Sequence, residues 1–457
     1  MPTLEPPQEI QANSFVCDCS EGSRKACKSE GFYKEHEGKH YCVLHYPSKE
    51  KALDFKMVLE KKVRSEDFDF SGVWFPDHVN FDSVHFSADA NFSGANFSAD
   101  ADFSKANFSA DANFSNATFS ANADFIYATF SADARFIYAT FSAAADFSKA
   151  NFSADADFGY ANFSAAANFY FATFSADADF SGSTFSGDAD FGHATFDAVA
   201  KFKSATFKDY VYFVGSSGKR TLGDHPQLDF QFALFEKPDR VSFHTLDLQP
   251  HWFINVDSRK FAFTDAKFKY DLKEEIKSLK EATDAEFKYD RHSLLAIACR
   301  QLAVNAEENH RYPEASRLRY SSFDVRRIER YYGFVPWRLD WWYWLASGYG
   351  ESVSRAFIVF LVLISLFAFG YTRVGFEQSA GAPPTSVAQM SEASPNLKGK
   401  PLGVLNAIIY AAYVSILQKP DPKPLTPAAK ALVWMETVLG PAQAALLALA
   451  VRRRFMR

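Results

Sequence analysis

The sequence predicts an all-β solenoid with four faces per coil, followed by an α-helical hairpin and two transmembrane helices. Three observations lead there. Phenylalanine accounts for 49 of 457 residues, in a position of abundance that leucine normally holds. From Phe70 those phenylalanines fall at alternating steps of five and six residues. Near the end of the chain stand two almost uncharged runs long enough to cross a bilayer.

The repeat carries the strongest signal. One series runs from Phe70 through Phe81 and Phe92 to Phe213, and the other from Phe75 through Phe86 and Phe97 to Phe207. Together they fill 27 positions without a miss. Two residues before each ring stands a small residue, nearly always alanine (Ala90, Ala95, Ala101, Ala106). Asp, Asn or Thr precedes the ring, and Ser usually follows it. Neither an α-helix nor a flat alternating strand has this period. A chain that turns a corner at every repeat has it, with Ala and Phe pointing inward. Four faces of five, six, five and six residues make a coil of 22. Coils stack at about 4.8 Å, so residues 70–213 form roughly 6.5 coils and a rod on the order of 31 Å long. The loop 214–229 interrupts the pattern, and Phe230, Phe235, Val241, Leu246 and Trp252 are expected to resume it. The solenoid is assigned to residues 66–257.

The motif A-(D/N)-F-S-x resembles the pentapeptide-repeat family. That resemblance implies a right-handed quadrilateral β-helix. Here every second repeat carries one extra residue, as in SADAD and SADAN, which is expected to widen two opposite corners.

Residues 22 apart share an edge. One edge carries Asp89, Asp111, Asp133, Asp155 and Asp177, and the opposite edge Asp100, Asn122, Ala144, Ala166 and Asp188. Between residues 87 and 200 there are fourteen Asp against three Lys and Arg, a local balance of −11. Like charges this close repel, which raises their pKa or recruits cations. The first column is therefore a candidate acidic ridge for a cation or a basic partner. The alternative is a set of solvated corners that keep a stacking solenoid soluble. Tyr138 and Tyr160 are expected to stack on one corner, and Tyr127 and Phe171 to occupy the adjacent family of corners. These rings are either a contact patch for a partner or a second copy, or local corner packing.

Residues 1–47 hold four of the five cysteines, and residues 1–30 lack an apolar leader. That combination points to metal rather than disulfides. Cys17, Cys27, Cys42 and His45 supply three thiolates and one imidazole, a set that suits tetrahedral zinc in a closed structural site. Cys19, His36 and His40 are spare candidates, and a reduced-thiol cluster without metal is the alternative. The spacing is similar to the Cys3His knuckle of plant WRC domains with a longer central gap, and the departure leaves that family's DNA-binding role unsupported here. Residues 48–65 form an amphipathic helix (Ala52, Phe55, Leu59, Val63) expected to cap the first coil.

Residues 258–335 are a helical linker. Helices over 293–307 and 312–331, the second with Pro313 in its first turn, form an αα-hairpin. It resembles the linker that follows the repeats in membrane-bound pentapeptide-repeat proteins. Arg317, Arg319, Arg326, Arg327, Arg330 and Arg338 lead into Trp337, Trp341, Trp342, Tyr343 and Trp344, a sequence of cations and aromatics that a membrane interface recruits. A packed globular hairpin is the alternative.

In the membrane region, 336–457, transmembrane helices are expected over 356–372 and 431–451, with a shorter re-entrant helix over 402–417. Arg355 before the first span and Arg452, Arg453, Arg454 and Arg457 after the second place both termini in the cytoplasm. The end of the chain resembles the C-terminus of bacterial ion-channel-like pentapeptide-repeat proteins, which implies the inner (cytoplasmic) membrane. Residues 418–427 contain no glycine where a potassium filter would sit, so potassium selectivity is not expected. Glu436 is a candidate pore residue, a bond across subunits, or a group at the outer interface.

A net charge of −6 argues against direct nucleic-acid binding. No nucleophile–base constellation, phosphate loop or catalytic metal motif is present, so an enzyme is not expected. The expected function is a membrane-anchored, non-catalytic scaffold. Its partners are the lipid bilayer, an unidentified cytosolic protein and further copies of itself. The alternatives are an oligomeric ion-channel-like pore with a cytosolic solenoid, and a DNA-mimicking binder of a topoisomerase.

Overall fold

The computed structural model describes residues 15–28, 30–215, 222–223, 227–269, 275, 291–330, 338–377 and 399–455. They fall into two units, Met1–Asn305 and Ala306–Arg457.

The local turn chemistry explains why this sequence coils. In Phe92-Ser93-Gly94-Ala95 the Phe92 carbonyl accepts the Ala95 N–H at 3.0 Å, and Gly94 has φ +66°. That is a type II turn, which demands positive φ at its third residue. The same turn recurs every eleven residues, and Lys105, Asn116, Tyr127, Tyr138, Lys149, Tyr160, Phe171 and His193 all adopt φ between 56° and 59°. The Asp or Asn before the ring serves this corner. Oδ1 of Asn91, Asp102, Asp146 and Asp179 accepts the N–H two residues on at 2.8–3.1 Å, an Asx turn. The six-residue repeats turn the two intervening corners.

Four parallel sheets of seven, eight, nine and six strands result. Their register advances by one coil: Ala112 pairs with Ala134, Phe119 with Phe141, Ala123 with Ala145, Phe130 with Phe152. Inside, each phenylalanine stacks on its counterpart one coil on. The pairs Phe92–Phe114, Phe97–Phe119, Phe103–Phe125 and Phe108–Phe130 have ring centroids 4.6–4.9 Å apart and planes within 3° of parallel. Neighbouring columns meet edge to face, as Phe103 and Phe114 do at 5.4 Å and 89°. Such pairs add about 0.5–1.5 kcal/mol each beyond burial. The alanines beside them are fully buried as well, because the rings leave room only for a methyl group.

Beyond Phe213 the chain departs from the expected register. Phe213 stacks on Phe243 at 5.2 Å, and Phe230 on Phe253 at 5.9 Å. Val241 pairs with Val211 and so takes the small-residue position, not the ring position. The cause is the 3₁₀ turn Pro238–Arg240, which absorbs two extra residues between Phe235 and Phe243. The solenoid also runs past residue 257, through strands Ala262–Thr264 and Lys267–Phe268. Most of the loop 214–229 lies outside the described residues.

Helices close both ends, as a solenoid needs. At the start, helix α1 (Ala52–Arg64) sets Phe55 against Phe75 at 5.4 Å. At the finish, Asn305 of α2 (Arg291–Glu308) donates from Nδ2 to the carbonyls of Ser258, Arg259 and Phe261 at 2.8–3.1 Å.

The second unit holds α3 (Tyr312–Arg330), α4 (Leu339–Ser347), α5 (Val353–Tyr371), α6 (Val404–Ser415) and α7 (Pro427–Phe455). The last of these runs unbroken through Pro441 and begins four residues before the expected span. Helices α5 and α7 have the length and composition to cross a membrane. Their apolar side chains, among them Ile358, Leu366, Phe369, Trp434 and Val438, point outward. Buried polar groups fasten the bundle: Gln443 Nε2 donates to the Ala346 and Ala356 carbonyls, both at 2.8 Å. The Glu351 carboxylate accepts from Ser316, Arg319 and Arg453 at 2.6–3.1 Å. Arg327 and Arg355 lie 4.5 and 5.2 Å from the Trp344 ring, so part of the Arg/Trp cluster packs within the unit. Trp337, Arg457 and the Arg330 side chain lie outside the described residues.

Phe125→Ala is expected to destabilise the solenoid by about 3–5 kcal/mol, and Ala123→Leu by about 1–3 kcal/mol through overpacking. Far-UV circular dichroism of the solenoid's unfolding transition checks both.

Candidate functional site

The N-terminal knuckle assembles from three short pieces. The 3₁₀ turn Glu21–Lys25 leads into Cys27. A hairpin, Lys34–His36 with Lys39–Tyr41, turns through Glu37 and Gly38 at φ 50° and 76° and delivers Cys42. The Cys42 carbonyl then accepts the N–H groups of His45 and Tyr46 at 3.2 and 3.0 Å, which folds His45 back over Cys42.

The donor atoms of Cys17, Cys27, Cys42 and His45 all lie within 4.8 Å of one another, and all four side chains are buried. His45 Nδ1 is 3.2 Å from Cys42 Sγ and 3.8 Å from Cys17 Sγ. Its Nε2–H donates to the Ser71 carbonyl at 3.0 Å, which turns Nδ1 toward the sulfurs. The Cys42 N–H donates to Cys17 Sγ at 3.4 Å. Hydrogen bonds of this kind orient the side chains that ligate a metal. Packed so closely, the thiols compete for charge. Hydrogen bonds from Cys27 and Cys42 hold Cys17 far below the usual thiol range, and those same contacts with Cys17 and Cys42 hold Cys27 far above it. Burial alone would depress His45, but its hydrogen bonds to the thiolates outweigh that and push it up to about 12. A divalent cation would resolve the competition, and the donor set suits tetrahedral coordination. Cys19 sits beside the group, its Sγ 3.9 Å from that of Cys27. His36 and His40 face Glu37 and Asp18 at the surface instead.

On the solenoid, Asp89, Asp111, Asp133, Asp155 and Asp177 each precede an alanine of one continuous sheet, so they line a single edge. The edge is not uniformly acidic. Arg135 bridges Asp111 and Asp133 at 3.1 and 2.9 Å, and Lys201 meets Asp177 at 3.2 Å. Asp155 Oδ1 accepts the Asp177 N–H. A second acidic column, absent from the sequence reading, runs through Asp102, Asp124 and Asp146 on another face. Burial, and then the neighbouring Asp102 and Asp146, raise the Asp124 carboxyl above the usual range.

Residues 92–140, 136–184 and 180–217 each match the family described as Pentapeptide repeats (9 copies). The solenoid is a pentapeptide-repeat domain. The match covers less than a third of the chain, and among curated proteins none matches the chain.

On the corners of the pentapeptide-repeat solenoid the aromatics split into two columns. Tyr138 stacks on Tyr160 at 5.1 Å and 16°, with 56% and 59% of each exposed. The Tyr160 ring overlies Gly182, where a Cβ would approach it to 2.6 Å. Tyr127 and Phe171 occupy the diagonally opposite corner, not an adjacent one. There Lys149 Nζ donates to the Tyr127 hydroxyl at 2.8 Å, and Phe171 stacks on His193 at 4.8 Å.

Glu436 is fully buried. Its carboxylate accepts hydrogen bonds from the Tyr371 and Ser415 hydroxyls, so it joins α5, α6 and α7 of its own chain. Gly440 permits the approach, since a Cβ there would meet Ser415 Cα at 2.7 Å. Sequence reading isolated Glu436 but had no signal for its two hydroxyl partners, 65 and 21 residues away.

Elemental analysis of the full-length protein is expected to find about one zinc per chain, lost on Cys42→Ser. Glu436→Leu strips two buried hydroxyls of their acceptor and is expected to cost about 1–3 kcal/mol, whereas Glu436→Gln keeps an acceptor and costs less. Thermal unfolding in detergent distinguishes the two variants.

Proposed function

We propose that this protein is a membrane-anchored, non-catalytic scaffold whose pentapeptide-repeat solenoid is presented to a cytosolic protein partner. The observation that carries the reading is the outward apolar surface of α5 and α7, in the same chain as a rigid rod whose interior is filled with side chains. A packed axis leaves the rod its surface to act with. The exposed Tyr138–Tyr160 stack is the favoured contact patch, because large rings held rigid by packing bind at low entropic cost.

In the same proposal, Cys17, Cys27, Cys42 and His45 hold a structural zinc, and the arginines flanking the two spans keep both termini in the cytoplasm. A pore reading draws no support from Glu436, whose carboxylate is engaged within its own chain.

After an alkaline wash of isolated membranes, the full-length protein is expected in the pellet, and recovery in the supernatant would remove the anchor from the proposal. A photo-crosslinker at Tyr160 is expected to capture a discrete cytosolic protein that the same probe at Asp100 does not. Identical capture at both positions would remove the tyrosine patch.

A further inference from the structure

Two lysines are buried in the N-terminal cap, and their surroundings differ. Lys62 donates to the Asp67 carboxylate at 2.5 Å and to the Ala26 carbonyl at 3.1 Å. Lys51 is 0% exposed. Its Nζ donates to the Leu44 carbonyl at 2.6 Å and lies 4.7 Å from the Phe55 ring centroid and 5.6 Å from that of Trp74. Among the described residues no carboxylate lies within ion-pair distance of it. An ammonium group in such a pocket needs a negative charge nearby.

The knuckle supplies one. Three thiolates and a neutral imidazole around a divalent cation leave a net charge of minus one. Leu44 stands between Cys42 and His45, so the bond from Lys51 to its carbonyl sets the ammonium against the ligand loop. We propose that Lys51 is the counter-ion of the metal–thiolate centre, and that metal binding fastens the cap to the first coil of the solenoid. This inference rests on the zinc reading above and extends it from a local fold to control of the solenoid's open end.

The fastening runs through shared atoms. The Leu44 carbonyl also accepts the Trp74 N–H at 3.1 Å, and His45 Nε2–H donates to the Ser71 carbonyl at 3.0 Å. Ser71 and Trp74 belong to the first coil. Between them Gly72, at φ +65°, admits Ser23 so closely that a Cβ would fall 2.2 Å from its Oγ. Ser23 sits on the turn that leads to Cys27. Two of the four ligands therefore reach the coil through their own segments. Without the metal, Lys51 loses its counter-charge and His45 its fixed ring orientation, and the cap loosens from an edge of unpaired strands.

The test uses the full-length protein in detergent. Competition with a chromophoric chelator is expected to show zinc binding to Lys51→Met about 10–100-fold more weakly than to the unaltered protein. Lys62→Met, which removes a buried amine already paired with Asp67, is expected to change that affinity by less than about threefold. Separately, chelation of the unaltered protein is expected to speed amide hydrogen exchange at Gly72 and Trp74 and leave Phe125 unchanged. That measurement needs no variant to fold. Absence of zinc from the unaltered protein would overturn the metal reading and this inference together. Zinc held equally by the unaltered protein and Lys51→Met would overturn the counter-ion while the metal reading stands. Unchanged exchange at Gly72 and Trp74 on chelation would overturn the fastening.

Discussion

Phenylalanine rings stacked face to face from coil to coil are the constraint on which the solenoid depends. A ring needs its counterpart within about 5 Å and nearly parallel, and strands hydrogen-bonded in parallel register supply that spacing. Stacking and strand pairing thus demand the same translation. Any slip in register would break both at once, which is why short strands of two residues hold a long rod. The alanine columns follow from the same packing, because four rings per coil fill the axis.

The corners accept a cost for this core. Ten non-glycine residues between Phe70 and Phe213 sit at left-handed φ to turn five-residue faces, a conformation that disfavours side chains with a Cβ. Asx hydrogen bonds from Asp or Asn relieve the same corners by satisfying backbone N–H groups. Many of the repeat's aspartates therefore have a backbone role. Acidity on the rod's surface is partly a by-product of turn chemistry, and Arg135 and Lys201 offset it where the acidic edge would be most crowded.

The two units solve the problem of buried polar groups differently. In the first, the Cys/His knuckle gathers polar atoms where the solenoid's hydrogen-bond ladder starts. Asn305 performs the corresponding service at the other end by capping three carbonyls. In the second, single side chains (Gln443, Glu436, Glu351) each bridge two or three helices.

The amino-acid sequence by itself determined the coil, because the period of Phe and Ala is a direct image of the cross-section. It also determined the four metal-ligand candidates and the two membrane-length helices, since residue type and run length carry those signals. It did not reveal where the register shifts. A 3₁₀ turn at Pro238–Arg240 has no periodic signature, so the five/six spacing points to Val241 as the ring position that Phe243 in fact occupies. The burial of Lys51 and the partners of Glu436 were equally hidden. Those depend on which distant atoms meet, and only the tertiary structure brings Leu44 to Lys51, or Tyr371 and Ser415 to Glu436. Local pattern decides what repeats, and three-dimensional packing decides what is shared between segments that do not.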